Sequence, residues 1–176
     1  DIANVPNGLY KMSVQGFFRP STVNATGAVF YADNGTDRQT VEVPNINSES
    51  EIETKPNNMQ SSGNAFAAGY YDTELYVYVN AGTLRIGVTL PQLTGGTDWV
   101  IWDNWRLTYY GNSEDVYSIL IDSLANEVSC KFDGREAEMT VGTVDTYKAA
   151  LNELTATDLA SFNAAIAAMD SAEARS

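Results

Sequence analysis

The sequence predicts a mainly β fold, an antiparallel β-sandwich followed by about three amphipathic helices. Two observations carry this expectation. Apolar residues alternate with a period of two from Gly8 to Tyr110, and after Gly111 they recur at helical spacing. No long helical pattern interrupts the strands, which argues against a parallel sheet. The expected division is residues 1–111 for the β part and 112–176 for the helical part.

The first strand is "GLYKMSVQGFFR", where Tyr10, Met12, Val14 and Phe18 alternate with Lys11, Ser13, Gln15 and Arg19. "AVFYAD" (Ala28 to Asp33) and "DRQTVEV" (Asp37 to Val43) follow, joined by a short turn at "NGT". The polar stretch from Pro44 to Asn58 reads as a long surface loop. Next, "NMQSSGNAFAAG" reads as one or two helical turns burying Met59 and Phe66. "TELYVYVN" sets Leu75, Val77 and Val79 on one face, and "TLRIGVTL" sets Leu84, Ile86, Val88 and Leu90 inward, with "NAG" as the turn between. The stretch "DWVIWDNWRLTYYG" (Asp98 to Gly111) is the sixth strand.

Beyond it, "SEDVYSILIDSLANEV" places Val116, Ile119, Leu120 and Leu124 on one helical face, with Ser113 as its N-cap. Val144, Tyr147, Leu151 and Leu154 form a second stripe. Leu159, Phe162, Ile166 and Met169 form a third, after a cap region at Thr155 and Thr157. These stripes need a surface to cover them. They can pack on one another, on the sandwich, or on a partner or neighbouring domain.

Composition narrows the function classes. With 10 Lys plus Arg against 23 Asp plus Glu, the net charge of −13 repels phosphate backbones and anionic lipid, so no nucleic-acid partner is expected. The chain holds no histidine, which removes the commonest general base and metal ligand. Its one cysteine, Cys130, excludes an internal disulfide and reads as a small buried residue at a helix end. No apolar run approaches the ~18 residues of a membrane span, so no membrane insertion is expected. The chain starts at "DIANVPNG" without Met and reads as a mature or excised segment.

No pair of carboxylates stands out as an acid and base, and no other catalytic motif is present, so an enzyme is not expected. Glu49, Glu51 and Glu53 read as a solvated acidic loop. "DNGTD" (Asp33 to Asp37) reads as a turn, since it lacks the frame and closing Glu of a calcium loop. "NAT" (Asn24 to Thr26) and "NGT" (Asn34 to Thr36) match the glycosylation acceptor pattern, which short sequences match by chance.

All three tryptophans lie in the stretch from Asp98 to Gly111. Its even positions include the polar Asn104, Arg106 and Thr108, so the odd set of Trp99, Ile101, Asp103, Trp105, Leu107 and Tyr109 is expected to face the core. Asp103 then becomes a carboxylate on the core side. A buried charge must be hydrogen-bonded, paired or bound to a cation. Asp103 is thus a hydrogen-bonded structural residue, a ligand of a structural calcium ion, or a ligand contact.

Three features together resemble the galactose-binding-like β-sandwich, the jelly-roll fold of many carbohydrate-binding modules. They are the first strand ending in aromatic-Arg, the hairpin "LYVYVNAGTLRIGV", and the closing "DWVIWDNWRLTYYG". The form is one common in multi-domain extracellular proteins of gut Bacteroidetes. The resemblance covers about Val5 to Gly111 and leaves out the helical tail. It implies non-catalytic glycan binding within a larger extracellular, cell-surface or periplasmic bacterial protein. If the first and last strands pair antiparallel, as in that fold, Arg19, Asp98 and Trp99 share one rim, which the loop after Val43 also reaches. Trp99 would stack on a sugar while Arg19 and Asp98 hold hydroxyls. The alternative is that Trp99 caps the core and Arg19 pairs with Asp98. Trp102, on the outer face, is the second candidate ring, unless the helices cover it. The other function class is a structural or interaction module in which the helices make the contact.

Overall fold

The computed structural model describes residues 1–20, 27–46, 56–90, 98–134 and 143–173. The chain forms two compact units, Asp1–Tyr109 and Tyr110–Ser176.

The first unit is mainly β. Its strands are β1 (Ile2–Ala3), β2 (Gly8–Arg19), β3 (Val29–Asp33), β4 (Arg38–Glu42), β5 (Asp72–Val79), β6 (Thr83–Thr89) and β7 (Trp99–Gly111), with helix α1 (Met59–Ala67) before β5. One sheet has the order β1-β6-β3-β4 and the other β5-β2-β7. β1 is a two-residue strand that the alternation does not signal. The two sheets face each other across one core. Tyr10, Met12, Val14 and Phe18 of β2 and Leu75, Val77 and Val79 of β5 meet Phe30, Ala32 and Leu84 there, with Ile86, Val88 and Leu90 packed against them. Period-two alternation thus places these residues as expected.

A smaller core lies on the other face of the β5-β2-β7 sheet. There Phe17, Ile46 and Phe66 pack with Tyr71, Trp99 and Ile101. The adjacent rings of Phe17 and Phe18 therefore serve opposite faces. α1 roofs this second core through Phe66, while Met59, expected inside, is 74% exposed. Asn58 caps α1: its side chain accepts from Ser61 N, and Ser61 Oγ accepts from the Asn58 backbone N–H. The "DNGTD" turn is held by its own polar groups, with Asn34 Oδ1 accepting from the backbone N–H of Thr36 and Asp37. Arg38 and the backbone N–H of Gly35 bind the Asp33 carboxylate. The Gly35 N–H bond chiefly, and Arg38 with it, hold its pKa below the usual carboxylate value.

The second unit contains α2 (Val116–Cys130), α3 (Thr143–Asn152) and α4 (Leu159–Glu173), with α2 packed against both others. The helices thus cover at least part of their stripes with one another. Four details differ from expectation. The buried face of α2 is Val116, Leu120, Ile121 and Ala125, and Ile119 is exposed. Its N-cap is Asp115, which makes no side-chain cap bond, so Ser113 is not the cap. For α4 the capping residue is Asp158, whose carboxylate accepts from Ser161 N and Ser161 Oγ, rather than Thr155 or Thr157. Cys130 ends α2 as expected but is exposed, not buried. No described helix is long and apolar enough to cross a membrane. Glu49, Glu51, Glu53 and the sequon at Asn24 lie outside the described residues.

Candidate functional site

The geometry of β7 decides what each ring can do. Moving along β2 from Phe17 to Tyr10, the neighbours on β7 run from Trp99 through Ile101 and Asn104 to Tyr109, so the two strands are antiparallel. The residue-number sum of these neighbours is 116 at Phe17 and Trp99 and 119 at Gln15 and Asn104. Extra residues have been taken up between them. At that point Asn104 has φ +57, in the left-handed region. The strand bulges there and its facing inverts.

This inversion corrects the parity reading. Before the bulge, the even residue Val100 faces the main core, and the odd residues Trp99 and Ile101 join the smaller core on the far face. After it, the odd residues Trp105 and Leu107 face the main core. Asp103 sits at the turnover and is exposed, with Oδ1 accepting from the backbone N–H of Asn104 at 2.7 Å. It is not a core-facing charge, so the reason to expect a structural calcium ion at Asp103 is gone. Among the described residues, no group of three or more His, Cys, Asp or Glu side chains could hold a metal ion. Tyr109, expected in the core, is exposed; its hydroxyl donates to Asn7 O and its ring packs on Tyr10. Burial, and secondarily the neighbouring Tyr109, raise the Tyr10 pKa.

The structure brings Arg19 and Trp99 together. The guanidinium lies 5.7 Å from the Trp99 ring centroid, and its Nη1 donates to Pro56 O at 2.7 Å. The segment after Val43 reaches the same rim, with Phe18 N donating to Pro44 O and Ile46 N to Phe18 O. However, Trp99 meets Phe17 edge-on at 5.6 Å and completes the smaller core, which leaves it half-buried. Asp98 adjoins it at the start of β7, itself partly buried and engaged.

Trp102 is different. It is 46% exposed and has no aromatic partner among the described residues, whereas Trp105 is fixed edge-on against Phe30 at 5.5 Å. It does not lie on the outer face. With Trp105, Ile86, Gly87 and Val88 it lines a recess of about 300 Å³ at the open side between β7 and β6. β7 is an edge strand, and β1 pairs with β6 only at Thr83 and Leu84. That leaves the recess accessible.

Sequence reasoning missed a second concavity, on the far face of the β5-β2-β7 sheet, where Asn104 and Arg106 of β7 stand near Asp72 of β5. The signal for it was the Asp103-Asn104 pair, since Asn tolerates the left-handed conformation a bulge requires. Compared with family models, with curated proteins and with solved structures, the chain matches none.

Proposed function

We propose that the β unit is a non-catalytic carbohydrate-binding module of a larger extracellular or surface protein, with its sheets arranged as in the galactose-binding-like jelly rolls. Trp102 is the ring that stacks on the sugar. The observation that carries this reading is an indole 46% exposed beside a recess of about 300 Å³, in a strand pinned by a bulge. A sugar's C–H face stacks on an exposed indole, and a ring held by a rigid strand loses little entropy when it binds. Trp99, committed to Phe17 and Arg19, is a structural ring in this reading.

A glycan array and affinity gels with the wild type, Trp102→Ala and Trp99→Ala test it. Wild-type binding that falls at least ~10-fold in Trp102→Ala is expected, equivalent to about 1.4 kcal/mol. Binding undiminished in Trp102→Ala would overturn the site. Absence of wild-type binding to every glycan would overturn the function.

A further inference from the structure

Asp72 and Arg106 both line a cleft of about 300 Å³ on the face of the β5-β2-β7 sheet turned away from the main core. Its floor is β2, where Ser13 and Gln15 alternate with the core residues Met12 and Val14. On one side Asp72 is the cross-strand partner of Gln15. On the other, β7 contributes Asn104 and Arg106, while Phe66, Ala67 and Gly69 close the end under α1. With β2 between them, β5 and β7 are two strand spacings apart, roughly 10 Å. That leaves room for a molecule the size of one sugar ring.

Two observations make this more than a dent in the surface. The side chains of Asp72 and Arg106 make no ion pair or hydrogen bond among the described residues. Elsewhere on these sheets Lys11 pairs with Glu74 and Asp33 with Arg38. Secondly, the amides are fixed in advance. Gln15, only 8% exposed, donates through Nε2 to Phe66 O at 2.9 Å, and its Oε1 accepts from Asn104 Nδ2 at 2.5 Å. This orients Asn104, leaving its Oδ1 and one N–H for a ligand.

The cleft therefore offers an acceptor-only carboxylate, a donor-only guanidinium, a hydroxyl and an oriented amide. Its own net charge is zero in a chain of net charge −13. Hydroxyl groups both donate and accept, so a polyol satisfies both kinds of wall at once. We propose that this cleft binds a neutral saccharide ring through its hydroxyls, with Asp72 accepting, Arg106 donating and Asn104 doing both. The ligand class rests on the reading given under Proposed function; the site does not use Trp102.

The test is amide and side-chain NMR of the ¹⁵N-labelled full chain with neutral disaccharides of glucose, galactose and mannose, and separately with glycine as a zwitterion. Shifts are expected at the side chains of Asn104, Gln15 and Arg106 with a sugar. They should disappear in Arg106→Ala, weaken at least 5-fold in Asp72→Asn, and persist in Trp102→Ala. Unchanged tryptophan-fluorescence melting would show that the variants remain folded. Shifts confined to the Trp102 indole would overturn this cleft and support the recess beside Trp102. Shifts confined to the cleft would do the reverse. Cleft shifts with glycine and none with sugar would overturn the ligand class, and no shift with any sugar would overturn both sites.

Discussion

The side-chain amide of Asn104 donates to Gln15 Oε1 at 2.5 Å, holding the residue at which β7 changes faces. A non-glycine residue at φ +57 costs roughly 1 kcal/mol, which glycine avoids. Asn104→Ala keeps the strain and loses the hydrogen bond, whereas Asn104→Gly loses only the bond. Asn104→Ala should therefore be the less stable by about 1 kcal/mol. All three tryptophans lie in β7, so denaturation followed by tryptophan fluorescence reads this strand directly. Equal stability of the two variants would show that the bulge is unstrained.

That bulge also explains how much was legible in the sequence. Period two placed Tyr10, Met12, Val14, Leu75 and Val77 in the core because each lies in an unbroken ladder. In β7 the same rule fails from Trp99 to Asp103, because extra residues invert the facing and no glycine marks the place. The smaller core was invisible for another reason. Phe17, Phe66 and Trp99 come from separate elements, and only the fold shows that α1 covers the sheet's second face. In α2 the choice between Ile119 and Ile121 depends on which neighbour the helix meets, and periodicity alone does not supply it.

At Gly16 of β2, Phe30 of the facing sheet and the β7 backbone of its own sheet both come close. A Cβ there would lie 2.7 Å from Phe30 Cζ and 2.8 Å from the Ile101 carbonyl oxygen. The carbonyl belongs to the backbone of β7 and cannot rotate away. Gly16→Ala should destabilise the β unit by about 1–3 kcal/mol, the usual range for overpacking. A shift in the fluorescence-detected denaturation midpoint measures it, and a wild-type midpoint would mean that β7 is free to move.

Trp99 and Trp102 should separate stability from binding. Trp99 fills the smaller core, so Trp99→Ala is expected to cost on the order of 2 kcal/mol, below the range for a fully buried ring. Trp102→Ala removes an exposed ring and should fall within about 0.5 kcal/mol of the wild type. Chemical denaturation of both variants checks the contrast. A large loss in Trp102→Ala would make that ring structural and remove it as a platform.

The cap of α4 gives the helical unit a pH dependence. Asp158 accepts from Ser161 Oγ and the Ser161 backbone N–H, and these two bonds lower its pKa in the folded state. A carboxylate whose folded pKa lies below its unfolded value contributes stability above the unfolded value and loses it as pH falls through the folded one. Protonation then removes an acceptor from the first turn of the helix. Asp158→Asn keeps a capping oxygen but no titration there, so it should melt less steeply with pH than the wild type below about pH 4. Far-UV circular dichroism melts of both chains between about pH 2.5 and 7 give the comparison. Superimposed pH profiles would show that the cap contributes nothing to acid sensitivity, whereas a gap that opens only on the acid side assigns that part of the stability to Asp158.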